Sequence, residues 1–230
     1  MKRFFARYLL LALPAFSSNA GSINVNGIAG GGNYDVPMTT FLELRFKTVY
    51  KQQYDFSCGS AALASLLTFH YDDPVTEQSV FVDMYQKGDQ KKIQKLGFSL
   101  LDIKLYLERR GYRADGFKIN LDQLVTANAP AMTIINKNGY MHFVIIKGLD
   151  ERDVLVGDPA VGVKAIPRDE FEDMWQNRIL FLIYDKQDMG ASHFQDKKEW
   201  ALRVKAPLES AVDRSSLGQF NLLQPNVRDF

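Results

Sequence analysis

Cys58 is the only cysteine in the 230 residues, so it has no intramolecular disulfide partner and its thiol is free for other chemistry. It follows Ser57, a good N-cap type, and precedes Ala61, Ala62, Leu63, Leu66 and Leu67, which recur at helical spacing. The thiol therefore belongs to the first turn of a helix. Unpaired N–H groups and the positive end of the helix dipole meet there, and both favour thiolate over thiol. The chemistry this suits is nucleophilic attack on an electrophilic carbon. Gly59, directly after it, leaves room for a substrate backbone to approach. The competing reading is a small buried apolar residue, a common place for a free cysteine.

A thiol nucleophile needs a base, and the chain offers three histidines. His70 falls at the far end of the Cys58 helix, about 18 Å away at the usual rise per residue, and is out of reach. His193 sits in a polar tail, where solvent is the expected partner. His142 interrupts the apolar run Met141 to Ile146, where an imidazole needs a partner, either as a base or as a satisfied core histidine. Sixteen residues on, Asp158-Pro159 ends the following strand, and an antiparallel return would set the carboxylate beside the ring. Asp158 would then accept the Nδ1 proton and hold the tautomer; an ordinary Asp-Pro turn is the alternative. Upstream of the thiol, Gln52 and Gln53 carry amides that could donate to a developing oxyanion together with the Cys58 N–H.

These residues need a helical part followed by an extended part, which is an α+β domain with segregated layers. A helix is predicted from Cys58 to Phe69, apolar nearly all round and so buried. A second follows Thr76, and a third starts at Ser99 with Asp102 closing a capping box and Gly111 stopping it. Strands are predicted at Tyr112 to Ile119, Ala131 to Asn136, Met141 to Leu149, Val154 to Val156, Val163 to Ile166 and Ile179 to Tyr184. Turn residues, notably Lys137-Asn138-Gly139, separate them, so antiparallel neighbours are the simplest topology. No internal repeat is present.

The remaining stretches set the organisation. Residues 1–20 begin with Lys2, Arg3 and Arg7, continue with a short apolar run and end Ser18-Asn19-Ala20, the pattern of a cleaved signal peptide. An uncleaved membrane anchor is the alternative, but the run is about half the ~18 residues a span needs, so no stable membrane span is expected after cleavage. Residues 21–35, with Gly30-Gly31-Gly32, are predicted as a flexible linker, residues 36–186 as the folded domain and residues 187–230 as a polar extension ordered only in part. A periplasmic or secreted location follows. With 46% hydrophobic and 24% charged residues and a net charge of +1, the chain has a globular make-up and no basic footprint for nucleic acid. Lys91, Lys92 and Lys95 are the densest basic cluster and suit a solvated face. One cysteine and three scattered histidines do not make a zinc site, and no other cofactor is suggested.

Taken together, Gln52 six residues before Cys58, the run Cys58-Gly59-Ser60-Ala61-Ala62, His142-Phe143-Val144, Asp158-Pro159 and the later Phe171 and Trp175 form one pattern. It resembles cysteine peptidase family thirty-nine, the bacteriocin-processing or double-glycine leader peptidases, over about Val49 to Tyr184. The resemblance implies a papain-like fold, a catalytic set of Cys58, His142, Asp158 and Gln52, and cleavage of a polypeptide after small residues of the Gly-Gly type. Gln52 ranks above Gln53 on that family spacing alone. Many members are domains of cytoplasm-facing transporters. With its signal peptide, this chain is instead similar to the stand-alone exported peptidase-like component of functional-amyloid secretion systems in Pseudomonas-type bacteria. That likeness implies an amyloid subunit or secretion component as partner. Two other classes share the residues: a non-proteolytic binding module or export chaperone on the same fold, and acyl transfer to an amine.

Overall fold

Alternation and turn chemistry decide most of this architecture. The computed structural model describes residues 22–26, 33–37 and 39–202, with side chains from residue 39 onward. The predicted signal peptide, Gly30 to Gly32 and residues 203–230 lie outside the described residues. The chain divides into two units after Leu44.

In the first unit, β1 (Ser22–Asn26) pairs antiparallel with β2 (Asn33–Pro37), Ser22 opposite Pro37. This corrects the expectation of a linker throughout 21–35. Ile23 and Val25 alternate with polar neighbours, a strand pattern that the surrounding Gly and Asn obscured. The short helix α1 (Phe41–Arg45) begins with reciprocal bonds: Glu43 N–H donates to Thr40 Oγ1 at 3.2 Å, and Thr40 N–H to the Glu43 carboxylate at 2.7 Å.

The second unit starts at Arg45, later than the predicted residue 36. Its central helix α2 (Cys58–His70) is buried on nearly every side, as an all-round apolar sequence requires. Around it stand α3 (Glu77–Lys87), capped by Thr76, α4 (Gln90–Leu96) and α5 (Leu100–Arg109), whose start carries the predicted Ser99–Asp102 capping box. Helix α4 was not anticipated. Its lysines, Lys91, Lys92 and Lys95, are exposed, and Ile93 alone is buried.

The sheet follows, with β3 (Ala114–Phe117), β4 (Ala131–Lys137), β5 (Tyr140–Leu149), β6 (Asp153–Asp158), β7 (Gly162–Pro167) and β8 (Leu180–Ile183) in the order β3-β8-β4-β5-β6-β7, antiparallel throughout. The two-residue turn Asn138-Gly139 takes positive φ at both positions, the geometry that matches strand twist, and sets the β4–β5 register so that Ile135 faces His142. Two short helices interrupt the strands: α6 (Leu121–Ala127), with an Asn120–Gln123 capping box, and α7 (Arg168–Met174). Phe143 and Ile145 of β5 join the core around α2, whereas Val144 and Ile146 join a second core with Leu121, Phe171 and Trp175. The alternating strand thus serves two cores.

Beyond residue 187 the chain is polar but not featureless. Helices α8 (Gln187–Ser192) and α9 (Lys197–Trp200) and the turn between them carry buried Gly190, Phe194 and Glu199, so the polar extension is ordered in its first part, to residue 202.

Candidate active site

Helix α2 delivers Cys58 at its first residue, 5% exposed. Ser57 does not cap it as expected. Its hydroxyl turns to the preceding loop, accepting from Tyr54 N–H at 3.1 Å and donating to the Tyr54 carbonyl at 3.0 Å, so no side chain caps the first turn. The reason for Gly59 also differs from the expectation of room for a substrate. A Cβ there would meet Phe98 at 3.1 Å and Phe143 at 3.3 Å, so glycine lets α2 press close to the sheet.

His142 and Asp158 come together through sheet register. Ile145 pairs with Gly157, and continuing that ladder puts His142 and Asp158 diagonally across β5 and β6, on the same side. The ring's Nε2 lies 2.7 Å from Asp158 Oδ1, both side chains buried. The predicted partner nitrogen was Nδ1; the structure puts Nε2 on the carboxylate and leaves Nδ1 without a hydrogen-bond partner among the described residues. Nδ1 makes no well-aligned hydrogen bond at rest, but Cys58 stands close enough to act on the ring. Burial opposes protonation of the imidazole, and the Asp158 hydrogen bond, aided by Cys58, outweighs it and raises the pKa to about 9. Burial would likewise raise the Asp158 pKa. The His142 bond, the Ala160 N–H at 2.8 Å and Lys164 outweigh that and hold it at about 2. Lys164, 3.4 Å from Asp158 Oδ2, reaches over from β7, where Asp158 pairs with Gly162.

Gln52 lies outside helix and strand, and its N–H donates at 3.0 Å to the carbonyl of Pro159, the residue after Asp158. Its Nε2 donates weakly to the Tyr54 carbonyl at 3.3 Å, and its Oε1 is buried without a partner. Gln53 is exposed. The other histidines stay away from this group. His70 is buried at the far end of α2, and His193 is exposed, 3.5 Å from Asp72.

Tyr140 was missed. Its hydroxyl donates to the Asp55 carbonyl, its ring lies 6.1 Å from that of His142, and burial first, then Cys58 and Asp55, raises its pKa. Strand alternation, two residues before His142, was the signal that could have found it. Lys164 had no comparable signal, because it depends on β7 lying beside β6. Among the described residues no three His, Cys, Asp or Glu side chains group as metal ligands. The arrangement can deprotonate a thiol and keep the resulting imidazolium paired with a carboxylate.

The sequence profile of the Peptidase C39 family matches residues 46–187. A protein of Pseudomonas fluorescens named as a probable functional amyloid protease, FapD, is 38% identical over 79% of this chain and 81% of its own length. Its namesake in Pseudomonas aeruginosa is 32% identical over 94% and 95%. The peptidase domain of Streptococcus ComA, a bi-functional ABC transporter, superposes with a TM-score of 0.50 at 18% identity, covering 59% of this chain and 96% of that domain. That likeness shows the fold, which is papain-like. A match of this extent, on a chain whose single thiol opens the central helix beside a paired imidazole, means that the chain belongs to the Peptidase C39 family and is a cysteine peptidase.

Proposed function

We propose that this chain is an exported peptidase that cleaves a polypeptide after a pair of small residues, with Cys58 as nucleophile, His142 as base, Asp158 as the residue that orients it and Gln52 as oxyanion donor. The observation that carries the reading is the His142–Asp158 pair at 2.7 Å with Nδ1 left for the thiol. His142 Nδ1 takes the Sγ proton, and Sγ attacks the scissile carbonyl carbon. The carbonyl oxygen becomes an oxyanion that accepts from the Cys58 N–H and from Gln52 Nε2, which gives up its weak bond to Tyr54. The imidazolium returns the proton to the leaving amine, the C–N bond breaks and a thioester remains. Water, deprotonated by His142, then hydrolyses the thioester and restores the thiol.

The preference for small residues draws support from the 5% exposure of Cys58 and the 4% exposure of His142: an opening this narrow suits an extended backbone without bulky side chains. Export is supported by the positively charged, apolar and small-residue sequence of residues 1–20. The names of the two Pseudomonas relatives support an amyloid subunit, or a component that secretes it, as the substrate.

Comparing the secreted proteins of cells that carry wild type or Cys58→Ala, read by N-terminal sequencing, tests the reading. A polypeptide processed after Gly-Gly or Gly-Ala only in wild type is the expected result, and identical secreted N-termini overturn it. Peptides varying the two residues before the scissile bond test the specificity. Efficient cleavage after Leu-Phe overturns the narrow-opening argument.

A further inference from the structure

The family match ends at residue 187, yet the chain continues through α8 and α9 and returns to the segment that precedes the nucleophile. Lys147, fully buried on β5, lies at a bulge where the ladder to β6 skips it. The carbonyl thereby released from the ladder accepts from Gln195 N–H at 2.9 Å, and Gln195 Nε2 donates to the Leu149 carbonyl at 2.6 Å. The Lys147 ammonium lies 2.7 Å from Glu199 Oε1 of α9 and donates to the Thr48 carbonyl at 3.1 Å and to Thr48 Oγ1 at 3.0 Å. Thr48 Oγ1 in turn donates to Glu199.

Thr48 closes the turn after α1, and the segment from there to Gln52 is held at alternate residues by different elements. Thr48 is held by Lys147 and Glu199, Tyr50 N–H by Ser65 Oγ of α2 at 2.8 Å, and Gln52 N–H by the Pro159 carbonyl. Val49 packs in a small core with Leu155 and Val163, against Trp200 and Leu202. The same cluster presses on the residue before Asp158: a Cβ on Gly157 would meet Lys147 Cδ at 2.9 Å and Val49 Cγ2 at 3.0 Å, so only glycine allows the lysine stem to cross there. A buried pair is weak evidence for stability in itself, because its desolvation cost offsets its attraction. Here the pair joins residues 52 positions apart in the chain and holds Thr48, four residues before Gln52.

We propose that Glu199 is a positioning residue for the peptidase reaction: with Lys147 it clamps Thr48 and so sets the reach of the Gln52 amide toward the oxyanion. Residues 187–202 are then a working part of the enzyme and not a trailing tail. The inference rests on the role of Gln52 given above.

The double variant Lys147→Met with Glu199→Leu tests it, because apolar side chains of similar length preserve the fold while losing their hold on Thr48. The peptide that wild type cleaves fastest serves as probe. We expect kcat to fall about tenfold with KM changed by less than about twofold, since displacement of one donor acts on the transition state. The Tm and the rate of Cys58 alkylation by iodoacetamide should stay at wild-type values, which a general loosening of the site would not allow. Added to Gln52→Ala, the double change should cost nothing further, because both act at one donor. Thr48→Val, which removes the hydroxyl and leaves the ion pair, should lower kcat about threefold by the same route. Wild-type kcat in the double variant, a loss that multiplies that of Gln52→Ala, or a parallel fall in alkylation overturns the proposal; should the double variant not fold, wild-type kcat in Thr48→Val does so. Wild-type kcat in Gln52→Ala overturns the oxyanion reading itself, and the proposal with it.

Discussion

A buried histidine stands at each end of α2, His142 of β5 at one and His70 of the helix itself at the other, and the two have opposite chemistry. At the N-terminal end, His142 lies beside Cys58 and is bonded to Asp158; its pKa rises to about 9. At the C-terminal end, His70 is 1% exposed with neither ring nitrogen bonded. Burial first, then repulsion by Lys147 and His193, pushes its pKa well below 6.5. Burial disfavours the charged ring in both places, so burial cannot be what makes a base. The carboxylate bonded to the ring is the difference: His142 has Asp158, and neither nitrogen of His70 has a hydrogen-bond partner among the described residues.

The comparison breaks most sharply in activity. Cys58→Ala and His142→Ala should each lower kcat/KM by about 10⁴-fold or more, because the two act as one unit. His70→Leu should change it by less than about twofold. Steady-state assays on variants shown to be folded by circular dichroism separate the two ends. An active, folded Cys58→Ala protein would remove the thiol from the mechanism.

Asp158→Asn should lower kcat about 10²-fold with KM little changed, since the amide keeps the ring's place but not the charge that stabilises the imidazolium. The same substitution should bring the His142 pKa down from about 9, because burial then acts without its counterweight. Titration of the imidazole by NMR checks this, and an unmoved pKa would assign the shift to a different neighbour.

The two histidines should make stability depend on pH in opposite senses. The folded pKa of His142 is raised, so its contribution is full below about 6.5 and is lost as pH rises through about 9. Asp158, depressed to about 2, contributes above about 3.8 and loses that as pH falls through 2. The folded pKa of His70 is depressed as well, so the neutral ring is tolerated above about 6.5, and stability falls below that as the unfolded chain takes up a proton which the folded one refuses. That slope approaches about 1.4 kcal/mol per pH unit. Urea unfolding at pH 5, 7.5 and 9 should show the advantage of His70→Leu over wild type growing toward pH 5. The loss caused by His142→Ala should shrink toward pH 9.

The smallest effect sharpens the contrast at neutral pH. Removing an unpaired buried polar ring in His70→Leu should raise stability by about 1 kcal/mol, the desolvation cost less some packing lost to the change of shape. A destabilised His70→Leu protein would point to a bonding partner for the ring.

Much of the site was legible because its parts are local. Cys58 heads an apolar helical repeat, Asn138-Gly139 defines a hairpin that sets the register of His142, and Asp158 lies sixteen residues from His142 across one strand return. The α+β class and the strands follow from the same periodicity. Short helices such as α4 and α6 escaped, since seven residues hold too few turns for periodicity to show, although the Asn120–Gln123 box was there to be seen.

The sequence by itself determined which residue types sit at which point of a helix or strand, because φ/ψ preferences and side-chain periodicity act between near neighbours. The tertiary structure alone decided that Nε2 takes the carboxylate, that Gly59 is glycine for the sake of Phe98 and Phe143, and that Ser57 turns away from the helix. It also decided that α9 closes on Thr48. Lys147 is 99 residues from Thr48, and Glu199 is 151 residues from it. Contacts across such separations leave no period in the chain; only the closing of the sheet around α2 brings their partners into reach.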